Sequence, residues 1–202
     1  MKLEITIFII FTLLSCKSPA DELNENIKTS IFIKGTEIEE NYNKYQNDIT
    51  NSGFTTLLSL ARIEKDKNHK ESKKIIKKAK FILTNFYKKE QSLISDINNL
   101  LDSIQPSNNI NLKEIEQLKI QVKESNKAII SNYKSDSTTI AISAQIIELI
   151  EVDCKYDIIN NEIIFYDQKC VDYYNFLNLS LESQIIMSKL EVSEWKLKKY
   201  KH

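Results

Sequence analysis

The sequence predicts an all-α fold: an elongated antiparallel bundle of about four long helices, with a small disulfide-closed β-hairpin between the last two helices. Three observations predict it. The 202 residues include only two Gly and two Pro, whereas β-rich folds and nucleotide-binding α/β folds need glycine in their turns. Long stretches repeat apolar residues every three or four positions, which is the spacing of one helix face. A short segment near the carboxyl end, residues 155–166, breaks this spacing with β-branched runs.

The first helical pattern runs from about Thr36 to Lys65. Thr36 and Glu39 have the spacing of a capping box, which marks a helix start. Gly53 lies on the apolar stripe, where we expect it either to divide the helix or to allow a neighbour to approach closely. The stripe consists of Ile38, Tyr42, Tyr45, Ile49, Leu57 and Leu60.

The second helix has the clearest pattern, from about Lys70 to Ile104. Its apolar residues follow each other in steps of four and three, the rhythm of a heptad repeat. The stripe is interrupted at Lys89–Glu90, where an apolar residue is due, and Pro106 ends the helix. The stripe consists of Ile75, Ala79, Ile82, Phe86, Leu93, Ile97, Leu100 and Ile104.

The third helical region covers about Leu112 to Val152. We expect a kink or a cap at Ser135–Ser137, because Ser and Asp compete with the backbone for hydrogen bonds. The part after residue 138 is rich in Ile and Thr, whose β-branched side chains weaken the preference for helix. Burial against the other helices is expected to override that weak preference.

Residues 155–166 are predicted to form a β-hairpin. Two β-rich runs flank Asn160–Asn161, and Asn tolerates the positive φ angles that a two-residue hairpin turn requires.

The last helix follows the hairpin and runs from about Val171 to Lys199, with Asp167 as its cap. One face of this helix carries Tyr174, Leu177, Leu181 and Ile185.

The amino-terminal segment is an apolar run, residues 5–14, that ends in Leu13-Leu14-Ser15-Cys16. About ten apolar residues cannot span a bilayer, which needs roughly 20, but they suit the apolar core of a signal peptide. The segment resembles the lipobox of a bacterial lipoprotein signal peptide. The alternatives are an ordinary secretory signal or a short membrane anchor.

The lipobox resemblance implies a domain organisation and a location in the bacterial cell envelope. Residues 1–15 would be removed, Cys16 would be lipidated, residues 16–34 would form a polar tether, and residues 35–202 the helical domain. Two or more acyl chains on Cys16 would anchor the protein stably to a membrane. Lys17 follows the cysteine where an Asp would favour retention at the inner membrane, so the outer membrane is favoured if the host is diderm.

Cys154 and Cys170 are the two cysteines that remain once Cys16 carries lipid. An even pair in an oxidising compartment most simply forms a disulfide, here at the base of the predicted hairpin. A metal-binding pair is the alternative, but no His or third Cys lies nearby in the sequence.

Charge and motifs give little indication of chemistry. The 28 basic and 28 acidic residues balance, so overall charge predicts no nucleic-acid partner. His69 and His202 lack partners at metal-ligand spacing, and no phosphate-binding or nucleophile motif occurs. We therefore expect no cofactor and no metal.

The densest charge feature is the eight lysines within residues 65–80. Lys73, Lys74, Lys77 and Lys78 are candidates for binding an anionic surface such as lipid head groups. The alternative is an ordinary solvated helix face.

An aromatic cluster surrounds the predicted hairpin. It has two interpretations, a partner-binding surface or packing of the hairpin on the bundle. The cluster comprises Tyr156, Phe165, Tyr166, Tyr173, Tyr174 and Phe176.

Three functions remain open. The chain resembles the small helical lipoproteins of bacterial envelopes, which implies a non-enzymatic, membrane-anchored protein that presents a helical surface to another envelope protein or to an extracellular ligand. The second is an envelope assembly or stress factor that binds anionic lipid or cell-wall polymer through the Lys-rich face. The third is an enzyme, for which Glu148 and Glu151 are the carboxylates of most interest. The sequence leaves the oligomeric state open.

Overall fold

The computed structural model of the protein describes residues 19–105 and 112–199. Over these residues the chain is predominantly helical, with one two-stranded antiparallel sheet, so the predicted all-α fold with a small hairpin is confirmed. The helices are α1 (Pro19–Asn51), α2 (Leu60–Lys65), α3 (Lys70–Asp102), α4 (Leu112–Glu148) and α5 (Gln168–Lys199), all but α2 being long. The strands are β1 (Tyr156–Ile159) and β2 (Glu162–Phe165).

The described chain divides into two compact units. The first unit contains residues 19–46, 84–105 and 112–130, and the second contains residues 47–83 and 131–199. Helices α1, α3 and α4 each contribute one segment to each unit.

In the first unit, the segment of α3 packs antiparallel to that of α1 and to that of α4. Along α1, Asn24 hydrogen-bonds the backbone of Gln105 at 3.0 Å and, further on, Lys34 lies 3.4 Å from Asp96. The residue numbers rise along one helix and fall along the other, which is the sign of an antiparallel pair. The core between these helices is almost purely aliphatic and consists of Ile27, Ile31, Ile38, Leu93, Ile94, Ile97, Leu101, Val122 and Ile129.

The amino-terminal half of α1 corrects two predictions. The polar tether expected up to residue 34 is wrong from Pro19 onward, because the helix begins there and its Ile27 and Ile31 are buried in the core of the first unit. The capping box at Thr36 is also wrong, because the Thr36 hydroxyl donates to the carbonyl of Phe32 in the middle of the helix. The domain therefore starts well before Gly35.

Helix α1 ends at Asn51 because Gly53 adopts a left-handed conformation, with φ of +83°. That conformation favours glycine and breaks the helical hydrogen-bond series. A 3₁₀ turn (Phe54–Thr56) and α2 follow. Gly53 thus divides the predicted first helix into two, as one of the two expectations held.

Helix α4 runs without a break through Ser135–Ser137, so the predicted kink is wrong. The hydroxyl of Thr138 donates to the carbonyl of Lys134 one turn earlier, at 2.9 Å, which lets a polar side chain stay within the helix. The Ile-rich end of α4 is helical because Ile140, Ile146 and Ile147 are fully buried. A π-helical turn (Leu149–Asp153) then leads into the hairpin.

The hairpin forms as predicted, with Tyr156 opposite Phe165 and Ile159 opposite Glu162. Asn160 and Asn161 have φ of +51° and +67°, the two positive values that a primed turn needs. Cys154 and Cys170 form the predicted disulfide, with 5.9 Å between their Cα atoms. The core of the second unit surrounds this disulfide and consists of Ile63, Ile142, Ile146, Leu149, Ile150, Phe165 and Leu177, with both cysteines.

Candidate functional site

Several residues that the sequence analysis singled out lie outside the described residues. They are the signal-peptide segment with Cys16, the turn at Pro106, and His202. The side chain of Ile185 also lies outside the described part of α5. The lipid anchor therefore stays a prediction.

The four candidate lysines lie together on the exposed side of α3. Lys73, Lys74, Lys77 and Lys78 are exposed, and they lie opposite the buried stripe that includes Ala79. The step pattern of the stripe explains this arrangement, because residues midway between two buried positions fall on the opposite face of a helix. The prediction that these four lysines share one exposed helix face is therefore consistent with the fold.

Two of the four lysines have acidic partners. The ammonium group of Lys73 lies 2.5 Å from a carboxylate oxygen of Glu151 in the π-helical turn. Lys74 donates to Glu71 at 2.7 Å, and this hydrogen bond holds the pKa of Lys74 above its usual range. Glu151, one of the carboxylates considered for an enzyme, is thus engaged in an ion pair, while Glu148 is exposed on α4.

Helix α5 carries apolar residues on two opposite faces. The inner face packs Cys170 and Leu177 into the core, with Tyr174 and Leu181 partly buried against it. The other face, which we call the α5 outer face, consists of Phe176, Leu179, Ser183 and Ile186. Its three apolar side chains are 61%, 63% and 57% exposed, in that order. An apolar helix face is normally packed against another element, so the α5 outer face is a surface that the described fold leaves uncovered.

The aromatic cluster around the hairpin divides into two groups. Tyr156, Phe165 and Tyr174 pack in the second unit, with the rings of Phe165 and Tyr174 5.1 Å apart. Tyr173 and Phe176 are instead exposed, and their ring centroids are 6.3 Å apart, so Tyr173 adjoins the α5 outer face through Phe176. The packing interpretation is therefore confirmed for the first group, while a partner-binding role for the exposed pair stays a prediction.

Tyr166, the sixth member of the cluster, is 70% exposed and extends from the end of β2. Its hydroxyl donates a hydrogen bond to the carboxylate of Asp157 on β1. This bond and the negative charge of Asp157 raise the pKa of Tyr166. The interaction joins the two sides of the hairpin near its base, on the solvent-exposed side.

A buried carboxyl group was missed by the sequence analysis. Glu90 occupies the interruption in the stripe of α3, and it is only 1% exposed. The amide of Asn41 on α1 donates to its carboxyl group at 2.6 Å and lies 3.4 Å from the carbonyl oxygen of Phe86. The polar gap in an otherwise regular stripe was the signal that could have identified this residue.

The environment of Glu90 raises the pKa of its carboxyl group. Burial raises its pKa to about 7, and the hydrogen bond from Asn41 and the charge of Lys89 only partly oppose that rise. On the adjoining turns, the rings of Tyr45 and Phe86 stack at 4.4 Å, so aromatic packing helps to keep water away. A carboxyl group in such surroundings titrates near neutral pH.

The loop before α3 holds the other buried titratable side chain of interest. His69 is 2% exposed and has a positive φ of +51°. Asp66, three residues earlier, accepts hydrogen bonds from the amide and the hydroxyl of Ser72 and from the amide of Glu71. Burial acts to raise the pKa of Asp66, but these hydrogen bonds outweigh it and lower the pKa. Asp66 therefore serves as a cap of α3.

The described part of the chain has neither grouped metal ligands nor a helix suited to span a membrane. In residues 19–105 and 112–199, no three or more His, Cys, Asp and Glu side chains are grouped as a metal site would require. Within the same ranges, every helix is too short or too polar to cross a bilayer. Comparison with known proteins gives no match to a family model, to a curated protein or to a solved structure.

Proposed function

We propose that the protein is a lipid-anchored bacterial envelope protein without catalytic activity, which binds a helix of another envelope protein through the α5 outer face. The observation that carries this proposal is the exposure of Phe176, Leu179 and Ile186 on one side of a helix whose opposite side is already packed. Exposed apolar surface of this kind marks interaction sites on soluble domains.

The spacing of the α5 outer face favours a helical partner. Phe176, Leu179, Ser183 and Ile186 follow each other in steps of three, four and three. This is the spacing with which one helix meets another along a shared seam. The nearly parallel ring of Tyr173, with its centroid 6.3 Å from that of Phe176, extends this surface.

The disulfide and the lipobox-like segment support localisation of the protein in the cell envelope. The bond between Cys154 and Cys170 is typical of proteins in an oxidising compartment, because such bonds are rare in the cytosol. An extracytoplasmic protein that begins with an apolar run ending at Cys16 is well suited to lipid anchoring, with the outer membrane as the expected location in a diderm host.

The anchor is tested by metabolic labelling with a palmitate analogue. We expect the full chain to incorporate label and the C16A variant to lose it. The variant C154A/C170A is the control, because it removes cysteines without touching the lipobox and should keep the label. Label retained by C16A would contradict the anchor while leaving the interaction surface to be judged separately.

The interaction surface is tested by chemical crosslinking in intact cells. We expect the wild-type protein to yield one defined adduct with another envelope protein, and the F176Q/L179Q variant to lose it. F32Q/I33Q is the matched control, because Phe32 and Ile33 are also exposed, at 56% and 51%, on α1. An adduct that survives F176Q/L179Q, or that F32Q/I33Q removes equally, would contradict the proposal.

A further inference from the structure

The basic side of α3 carries an exposed aromatic ring at the carboxyl-terminal end of its lysine cluster. Phe81 is 67% exposed, although it lies in a helix whose opposite side packs Ala79 and Leu83. It follows Lys77 by four residues and Lys78 by three, so both lysines are its neighbours on the helix surface. We call this surface the basic face and define it as Lys70, Lys73, Lys74, Lys77 and Lys78 together with Phe81, which follows them on the same side of the helix.

The basic face has an excess of positive charge. Its five lysines are exposed, and two of them have carboxylate partners, Glu151 for Lys73 and Glu71 for Lys74. In the described part of the chain, Lys77 and Lys78 form no ion pair. Since the chain as a whole is neutral, this positive charge is a local concentration and not a consequence of overall composition.

We propose that the basic face binds the surface of an anionic phospholipid bilayer, with Phe81 entering the boundary between head groups and acyl chains. Clusters of four to eight lysines on a helix attract anionic lipid surfaces. An exposed aromatic ring among such lysines adds burial of apolar area. The proposal concerns a second membrane contact, independent of both the lipid anchor and the α5 outer face.

Phe81 favours a bilayer over a soluble polyanion. A cell-wall polymer or a nucleic acid would engage the ammonium groups, but a cell-wall polymer offers no hydrocarbon phase for the ring. The long methylene stems of Lys74, Lys77 and Lys78 can also lie along the head-group region while their charges stay in water. A soluble polyanion is thus the competing occupant, and the experiment separates the two.

The test uses the full chain with vesicles of phosphatidylcholine, with and without phosphatidylglycerol, and measures the ratio of the two binding constants. We expect phosphatidylglycerol to strengthen binding of the wild type, and K73Q/K74Q/K77Q/K78Q to lower the ratio by at least about tenfold. K113Q/K123Q/K127Q/K134Q is the matched control, since it removes the same charge from exposed positions of α4. A ratio near one for the wild type, or an equal loss in the α4 control, would overturn the proposal.

Phe81 is tested with F81Q on the same vesicles and on soluble polyphosphate. We expect F81Q to weaken binding to anionic vesicles about tenfold, because the apolar contribution is lost, and to leave polyphosphate binding unchanged. F32Q is the control for loss of an exposed phenylalanine elsewhere. If F81Q binds anionic vesicles as tightly as the wild type does, the bilayer proposal is wrong. If the wild type also binds polyphosphate as tightly as vesicles, a soluble polyanion is the occupant. Thermal unfolding of each variant checks that the fold is retained.

Discussion

The amide group of Asn41 on α1 donates a 2.6 Å hydrogen bond to the carboxyl group of Glu90 on α3, in the first unit of the chain. This is a buried polar contact in a helix interface whose other buried side chains are mainly aliphatic or aromatic. A buried acid with one neutral donor is costly to ionise, so the stability of the first unit is coupled to pH near neutrality.

The first prediction concerns Glu90→Gln. The pKa of Glu90 is about 7 in the folded protein against 4.5 for the ordinary side chain. Between these values the folded state keeps a proton that the unfolded state has lost, so stability falls as pH rises from about 4.5 to about 7 and then stays level. Once Glu90 is ionised, the destabilisation amounts to roughly 3 kcal/mol.

We therefore expect E90Q to be more stable than the wild type at pH 8, by up to about 3 kcal/mol, and nearly equal to it at pH 4. Urea unfolding at both values measures this difference. E40Q is the control, because Glu40 is exposed on α1 and its replacement should leave the pH profile unchanged. A wild type whose stability does not fall over this range would contradict the role assigned to Glu90.

The second prediction concerns the disulfide. Cys154 and Cys170 are 16 residues apart, and closing a loop of about this length contributes about 3 kcal/mol in the chain-entropy model. We expect C154A/C170A to lose about this much stability in urea unfolding. Dithiothreitol should destabilise the wild type by a similar amount and leave the variant unchanged. An equal effect of the reductant on both proteins would show that the loss comes from another source.

The third prediction concerns the cap of α3. Because Asp66 accepts hydrogen bonds from Ser72 and Glu71, we expect D66A to destabilise the protein by about 1 kcal/mol at neutral pH. The folded-state pKa of Asp66 lies below the ordinary 3.8. Its contribution is therefore present above pH 3.8 and is lost as pH falls through the lowered value.

D66N is the matched variant for the cap, because its side chain keeps an acceptor for the amide of Ser72 but does not titrate. We expect D66N to retain most of the stability at neutral pH and to lack the acid-dependent loss, as followed by helix content on acid titration. If D66A and D66N were equally unstable at neutral pH, charge and not the hydrogen bond would be the source of the stabilisation.

The parts of the fold that depend on neighbouring residues in the sequence were the most predictable. The apolar steps of four and three in α3 reproduce its buried face, since Ile75, Ala79 and Phe86 are all buried. The hairpin was predictable because two adjacent asparagines at a β-rich segment favour positive φ. The disulfide followed from the parity of the cysteines and from their position at the base of that hairpin.

The start of α1 was missed because its helical stripe is weak in composition. Ile27 and Ile31 are buried, but Phe32 and Ile33 lie on the exposed side, so apolar residues do not mark one face clearly. The start signals were nevertheless present: a proline at the first position and the acidic pair Asp21–Glu22 in the first turn.

The candidate site could be predicted only in part. The exposure of Lys77 and Lys78 follows from the stripe of α3, but that of Phe81 does not, because an aromatic residue in a helix is usually assigned to the core. Likewise, one sequence cannot tell which of the two apolar faces of α5 is covered. The burial of Glu90 depended on contacts with α1 that no local pattern specifies.

The most direct test of the proposed function places a photo-activated crosslinking amino acid at Leu179 in the full-length protein in living cells. Leu179 is at the centre of the α5 outer face and is 63% exposed. The same crosslinker at Lys123, an exposed position of α4, serves as the control. The account predicts one defined adduct with another envelope protein from position 179 and none from position 123. No adduct from position 179, or the same adducts from both positions, would contradict it.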